Sequence, residues 1–317
     1  AAANYAAGMF PLRCAELRGS ALASSADGCA CGCCSRRRRH RRHLTVYTAA
    51  TTGEVDGGDV ADGGADAESA EADSAVLKEE NEFQALGVDP LFLPGLDKIG
   101  IHTPSDIQAA AVPAVLSGGN VAIQSYTGSG KTLAFLLPAM SSMIARAERL
   151  YNGGAKEVPL QLLVVAPSQE LAMQIVRVAQ GLLPDQHRGL VQQCIGGANP
   201  RYQEQRLLEN KPLMVVGTPG RIAELVRGAV LRLHECPMLV LDEADQLLAP
   251  AFSEDMAHIN SHCGKRLREP RQTVLVSATL SESVLLRSAR WCPSPRYVTP
   301  ASSAAPSVPP PPPAHAA

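Results

Sequence analysis

Between Ser125 and Thr132 the chain reads SYTGSGKT, an order of small residues, lysine and threonine that suits a polyphosphate. Gly128 and Gly130 let backbone N–H groups turn toward phosphate oxygens, a following helix N-terminus adds its dipole, Lys131 reaches the outer phosphates, and Thr132 offers a hydroxyl to magnesium. The usual form of such a loop is G-x-x-x-x-G-K-[ST]. Here Ser125 replaces the first glycine, Gly130, Lys131 and Thr132 conform, and Tyr126, Thr127 and Ser129 fill the loop. The competing reading is a Gly-Ser turn with a chance lysine. A second cluster, VLDEAD, runs from Val240 to Asp245. Two apolar residues feed an acid at a strand end and a second acid follows at once, so that Asp242 can hold magnesium through water while Glu243 polarises an attacking water. An acidic strand end is also a common helix N-cap, but a phosphate loop ~110 residues upstream favours the metal reading.

These groups need elements to hold them. NVAIQS before the loop is a short apolar run rich in β-branched residues, and KTLAFLLPAMSSMIARAERL after it is apolar at helical spacing, so the loop joins a strand to a helix. Further strands are expected at LQLLVVAP, GLVQQCIGG, PLMVVGT, MLVLDE and TVLVSAT, with helices at QELAMQIVRVAQGLL, PRYQEQRLLEN, GRIAELVRG and FSEDMAHINSHC. Near-continuous apolar strands alternating with helices predict an α/β fold, a parallel sheet covered on both faces, whose ligands gather at the carboxyl ends of the strands.

The 317 residues carry a formal net charge of -2. The halves differ. Residues 1–82 hold 9 Lys/Arg and 13 Asp/Glu, whereas residues 83–317 hold 20 and 18. The first 50 residues are rich in Ala, Ser and Arg, include RRRRHRR, and have only Glu16 and Asp27 as acids. That composition is read as an organelle transit peptide over residues 1–50, with a nuclear-localisation or RNA-binding basic patch and plain low complexity as the rival readings. Cys29, Cys31, Cys33 and Cys34 crowd into CACGCC without the two separated pairs that zinc prefers, so low complexity is favoured over metal. Cys14, Cys194, Cys236, Cys263 and Cys292 are scattered and read as buried small hydrophobes. The stretch 51–82 reads as an acidic disordered linker, and from about Pro293 a proline-rich tail with nothing to pack is expected, with 299–317 disordered. No apolar run is long enough to predict a membrane span.

With DEAD at 242–245, the chain resembles the DEAD-box RNA helicases of superfamily 2, specifically their first RecA-like domain. GIHTPSDIQ (100–108) matches the family's Q motif, with Phe83 placed 17 residues before Gly100, and SAT stands at 277–279. PSQELA (167–172), the glycine pair 196–197 and TPGR (218–221) follow in the family's order. The resemblance covers about two thirds of the chain, 83–298, and implies a RecA-like P-loop domain using ATP and Mg2+. The family often has alanine at the first loop position, so Ser125 is a mild variant. QSYTGSGKT, GGANP and VVGTPGRIAE look similar to a plant or algal chloroplast member, which implies a chloroplast address, with nucleus or cytoplasm as alternatives.

The resemblance assigns roles by position. Gln108 resembles the glutamine that reads the adenine edge, and Phe83 the ring stacked on it. Residues 125–132 correspond to the phosphate loop, Thr132 and Asp242 to the magnesium set, and Lys131, Asp242 and Glu243 to the catalytic set. Asp245, Ser277 and Thr279 correspond to a coupling set that carries nucleotide state to the RNA face. Pro167, Ser168, Gln169, Glu170, Gly196, Gly197, Thr218, Pro219, Gly220 and Arg221 correspond to loops that meet RNA phosphates without reading bases, with Arg221 the best charged candidate. Gln169 stands where the family has arginine, which implies weaker RNA affinity. A second RecA-like domain, expected in cis or in trans, would complete the ATP site with arginines. After Trp291 the sequence offers only the proline-rich tail, so a lone first domain is expected, whether fragment, truncated gene model or natural half. The rival readings are a non-enzymatic ATP- and RNA-binding half and another P-loop ATPase such as a recombinase, which has no need of the Q motif.

Overall fold

A computed structural model of the chain describes residues 81–300 except Ala198. The leader, the CACGCC cysteines, the linker up to residue 80 and the tail from residue 301 lie outside the described residues. Seven strands form one sheet in the order β3-β4-β2-β5-β6-β1-β7, and every neighbouring pair is parallel. They are β1 (Val121–Gln124), β2 (Leu162–Val165), β3 (Val191–Cys194), β4 (Met214–Gly217), β5 (Met238–Asp242), β6 (Gln272–Ser277) and β7 (Arg296–Val298). The helices are α1 (Glu82–Ala85), α2 (Leu93–Lys98), α3 (Asp106–Leu116), α4 (Lys131–Asn152), α5 (Gln169–Leu182), α6 (Pro200–Asn210), α7 (Pro219–Arg227), α8 (Ala244–Leu247), α9 (Ser253–His262) and α10 (Glu282–Ser288).

The period of two in each strand divides the interior into two layers. Val121, Ile123, Leu162, Val164, Val240 and Val276 point into a core shared with α1 to α5, where Phe83, Ile107, Phe135 and Ile175 are buried. Ala122, Leu163, Val165, Leu239, Leu241 and Leu275 point the other way, onto Ile222 of α7 and Met256 and Ile259 of α9. A sheet covered on both faces leaves its strand ends as the place where polar groups reach solvent. Cys194, Cys236, Cys263 and Cys292 are free thiols in the second layer, as the sequence suggested for them; Cys14 lies outside the described residues. Among the described residues no helix is long and apolar enough to cross a membrane.

The sequence misplaces one element. The run from Pro293, read as an unpacked proline-rich tail, contributes β7, which pairs with β1 in the register Ala122↔Tyr297 and buries Val298. Prolines 293, 295 and 300 hide it from pattern reading, yet proline is tolerated at a sheet edge, where one row of N–H groups has no neighbour to serve. Asn120 straps the strand down, its side-chain amide donating to Pro293 O at 2.8 Å and its carbonyl accepting from Arg296 N at 2.8 Å.

Gly217, at the end of β4, sits against its neighbour so tightly that a Cβ there would lie 2.1 Å from the carbonyl oxygen of Cys194. Gly217→Ala is expected to lower unfolding free energy by about 2 kcal/mol or more, since backbone must move to admit it. Gly181, in the last turn of α5, has nothing within 4 Å of its Cβ position, and Gly181→Ala is expected to stabilise by about 0.5 kcal/mol. Urea denaturation of both variants reads the contrast.

Candidate functional site

Strand order sorts the sequence motifs into two groups. The phosphate loop follows β1, VLDEAD closes β5 and SAT closes β6, and these three strands are adjacent as β5-β6-β1. PSQELA follows β2, the glycine pair follows β3 and TPGR follows β4, and these are adjacent as β3-β4-β2. Two contiguous patches therefore line one end of the sheet and meet where β2 pairs with β5.

In the first patch the phosphate loop is closed on itself. Lys131 Nζ donates to Ser125 O at 2.6 Å, Ser125 Oγ to Ser129 Oγ at 2.7 Å, and Ser129 Oγ to Tyr126 O at 2.8 Å. The serine at the usual glycine position is thus a working member of the loop. Gly128 and Gly130 have φ of +84° and +90°, a region open to glycine. Gly130 has a steric reason as well, since a Cβ would fall 2.6 Å from Gln108 Nε2. Gln108 is buried and clamps the loop: its Oε1 accepts from Ser105 N at 3.0 Å and its Nε2 donates to Gly130 O at 3.2 Å. Ser105 Oγ adds a bond to Ser129 O at 3.1 Å. Tyr126 is 68% exposed above the loop and Thr127 is exposed beside it. Phe83 is not at this surface. With 0% exposure its ring lies wholly inside the core, drawn there by the apolar contacts of α1, and it offers no face to a base.

At the end of β5, Asp242 is buried and its Oδ1 accepts from Glu243 N at 3.0 Å. Burial pushes its carboxyl up to about 6, against the backbone bond, with Glu243 adding repulsion and Lys131 partly offsetting it. Lys131 is drawn below the usual lysine value by burial, while Asp242, Glu243 and Asp245 hold it up. A desolvated carboxyl short of positive charge, with the Thr132 hydroxyl in the first turn of α4, is a donor set that fits a divalent cation. Glu243 has φ +51°, an uncommon conformation for a residue with a side chain. Its Oε2 accepts from Gln246 Nε2 at 2.9 Å.

Asp245 joins two strand ends. Its Oδ1 lies 2.8 Å from Ser277 Oγ and its Oδ2 accepts from Thr279 Oγ1 at 3.0 Å. Ser277 Oγ is also 2.7 Å from Thr279 O, and its single proton serves one acceptor at a time.

In the second patch, Ser168 caps α5 by accepting from Leu171 N at 3.2 Å, and Pro167, Gln169 and Glu170 surround this exposed corner. The Gln169 amide lies 3.3 Å from where Gly196 would carry a Cβ, so the PSQELA corner and the glycine turn touch. Gly197 turns with φ +72°, and Thr218 stands at the N-cap position of α7 without a side-chain capping bond, followed by Pro219 and Gly220. Arg221 departs from expectation. Its side chain is only 4% exposed, with Nη1 at 2.8 Å from Glu224 and Nη2 at 3.2 Å from Glu204. Burial works against its charge, but Glu224 and Glu204 raise its pKa above the usual value. Nη2 also donates to Pro200 O at 3.2 Å. This enclosed, paired guanidinium is a strut between α7 and α6, and no free cation for a phosphate.

Sequence reading missed three amides or hydroxyls that hold the motifs: Ser105 on the phosphate loop, Gln246 on Glu243, and Gln203, which grips both the N–H and the carbonyl of Ile195 at 3.2 and 2.9 Å just before the glycine turn. Gln246 directly follows the acidic motif and could have been found by that spacing. Gln203 gave no local signal.

The family model described as DEAD/DEAH box helicase matches residues 105–286. The chain is 46% identical over 245 residues to the DEAD-box ATP-dependent RNA helicase 47, mitochondrial, of Arabidopsis thaliana, covering 72% of this chain and 44% of the relative. It is 44% identical over 223 residues to the DEAD-box ATP-dependent RNA helicase 47B of Oryza sativa subsp. japonica, covering 66% of this chain and 39% of the relative. The chain thus spans under half the length of these relatives. Among solved structures it is similar to a DEAD box protein from the hyperthermophile Methanococcus jannaschii, with TM-score 0.59 and 25% identity over 69% of this chain and 55% of that one.

The charge at the end of β5 predicts a pH dependence. Asp242 titrates near 6 when folded and at about 3.9 when unfolded. The folded chain therefore holds the extra proton between those values, and the stability tied to the neutral carboxyl is present at low pH and lost as pH rises through 6. In chelator and without nucleotide, unfolding free energy should fall by about 1 kcal/mol between pH 5 and 7.5 from this residue. Urea titrations of Asp242→Asn at both pH values should show that part of the fall removed.

Proposed function

The chain belongs to the DEAD/DEAH box helicase family and contains its first RecA-like domain, and from that premise we propose that it binds ATP with magnesium at the ends of β5, β6 and β1 and a single RNA strand at the ends of β2, β3 and β4. Hydrolysis coupled to RNA then needs a second RecA-like domain, in cis or in trans. The observation that carries this reading is the strand order, which gathers the SYTGSGKT loop, the acidic motif and SAT on one side and PSQELA, the glycine pair and TPGR on the other.

Gln108 uses one donor and one acceptor on the protein, which leaves an N–H and a lone pair for an adenine edge. Lys131, now on the Ser125 carbonyl, exchanges that bond for phosphate oxygens, and the N–H groups of residues 128–132 meet the rest. Thr132 and Asp242 would hold the magnesium ion, which supplies positive charge to the phosphates when bound. Glu243, steadied by Gln246, orients the attacking water and accepts its proton. Asp245 ties the end of β5 to Ser277 and Thr279, so a shift at one strand end is felt at the next. RNA phosphates meet the caps at Ser168 and Thr218 and the amides of the glycine turn. With Gln169 in place of an arginine and Arg221 paired, this surface supplies little positive charge, which supports weak RNA binding by the domain alone. A separately supplied arginine is worth roughly 10³–10⁵ in turnover, so slow hydrolysis and no unwinding by the domain alone are part of the proposal.

An organelle address is proposed from the basic, acid-poor leader. The relative's name says mitochondrial and the loop wording suggested a chloroplast, so import of the leader into each purified organelle reads the choice.

Gln108→Ala should weaken ATP by on the order of 1–3 kcal/mol. GTP, which lacks the N6 donor, should lose less, retaining only the penalty of an unclamped loop. Equal losses would show that Gln108 acts through Gly130 alone. Glu243→Gln should leave ATP binding intact and cut RNA-stimulated phosphate release, measured with a second domain added, by about 100-fold or more; unchanged release would remove Glu243 from its role.

A further inference from the structure

β3 is the last strand of the sheet, and a groove of about 270 Å³ runs along it between α5 and α6. Val176 and Gln180 form one wall, Gln193 lies on the strand between, and Tyr202, Gln203 and Arg206 form the other wall. Gln193 is the one exposed residue of β3. Tyr202 is 54% exposed although its helix buries Leu207. Arg206 holds the ring in place, its Nη1 donating to Tyr202 Oη at 2.6 Å with the guanidinium carbon 5.4 Å from the ring centroid. Neither Arg201 nor Arg206 has a carboxylate partner among the described residues. The groove is also tied to the RNA face. Tyr202 lies in the first turn of α6, directly after the glycine turn, and Gln203 pins Ile195 immediately before that turn.

We propose that this groove is a nucleobase subsite: a base of the RNA strand passing the Gly196–Gly197 turn leaves the strand and stacks on Tyr202, while Arg201 and Arg206 supply charge to the adjoining phosphates. The inference rests on the RNA reading above and adds to it a base contact that the glycine and cap loops do not supply. An exposed aromatic ring held by an arginine that has no carboxylate partner among the described residues suits a polyanion that carries flat bases. Stacking is tolerant of base identity, because every base has a π-face, so the subsite adds affinity without demanding a sequence.

The test uses the full chain with magnesium, a non-hydrolysable ATP analogue and short single-stranded oligoribonucleotides carrying 2-aminopurine at each position in turn. Emission should be quenched at one position, the quench should vanish in Tyr202→Ala and persist in Tyr202→Phe, and affinity of Tyr202→Ala should drop about 5- to 150-fold. An abasic nucleotide at that position should weaken the unsubstituted chain and leave Tyr202→Ala unaffected. RNA binding with emission and affinity unchanged by Tyr202→Ala overturns the subsite and leaves the RNA reading standing. Absence of any RNA binding by the unsubstituted chain overturns both.

Discussion

The hydrogen bond from Lys131 to the carbonyl of Ser125 sets the terms for the rest of the strand-end surface. A lysine half out of water needs an oxygen, and three carboxylates, Asp242, Glu243 and Asp245, lie near enough to raise its pKa. The bond instead goes to the loop's own backbone. Asp242 is left as a buried carboxyl whose desolvation Lys131 only partly offsets, and it shifts toward neutrality. Opposite charges close enough to influence one another, with the lysine bonded elsewhere, suit a ligand that brings both phosphate oxygens and a cation.

That arrangement depends on packing far from it. The sheet buries alternate residues on opposite faces, so polar function is confined to the strand ends, and the strand order decides which ends are neighbours. Asp245 stands near the boundary between the two groups of loops, with a hydroxyl from the end of β6 on each of its oxygens. On the other side Arg221 ties α7 to α6, and Gln203 ties α6 to the approach of the glycine turn. The loops after β2, β3 and β4 are therefore cross-braced by buried polar contacts.

Much of this was legible in the sequence because the motifs lie where local rules are strong. The expected helix PRYQEQRLLEN has the bounds of α6, and the loop between β1 and α4 falls where its glycines put it. Pairing order was not legible, since nothing in β4 announces that β3 and β2 flank it. Arg221 and Phe83 show the other limit. A motif states which residue stands at a position, whereas exposure follows from distant partners, here Glu204, Glu224 and the apolar core around α1. β7 was hidden because proline is read as a breaker, and only the tertiary position of β1 makes an edge for it to join.

On the proposed reading, the self-closed loop is a nucleotide site opened by exchange of the Lys131 bond. Equilibrium binding of a fluorescent ATP analogue with magnesium, measured on the unsubstituted chain and on Lys131→Ala, tests it most directly. Saturable binding that competes with ATP and is weakened at least about tenfold in Lys131→Ala, equivalent to about 1.4 kcal/mol, is the predicted result. Equal affinity for the two proteins, or no saturable binding by the unsubstituted chain, would contradict it.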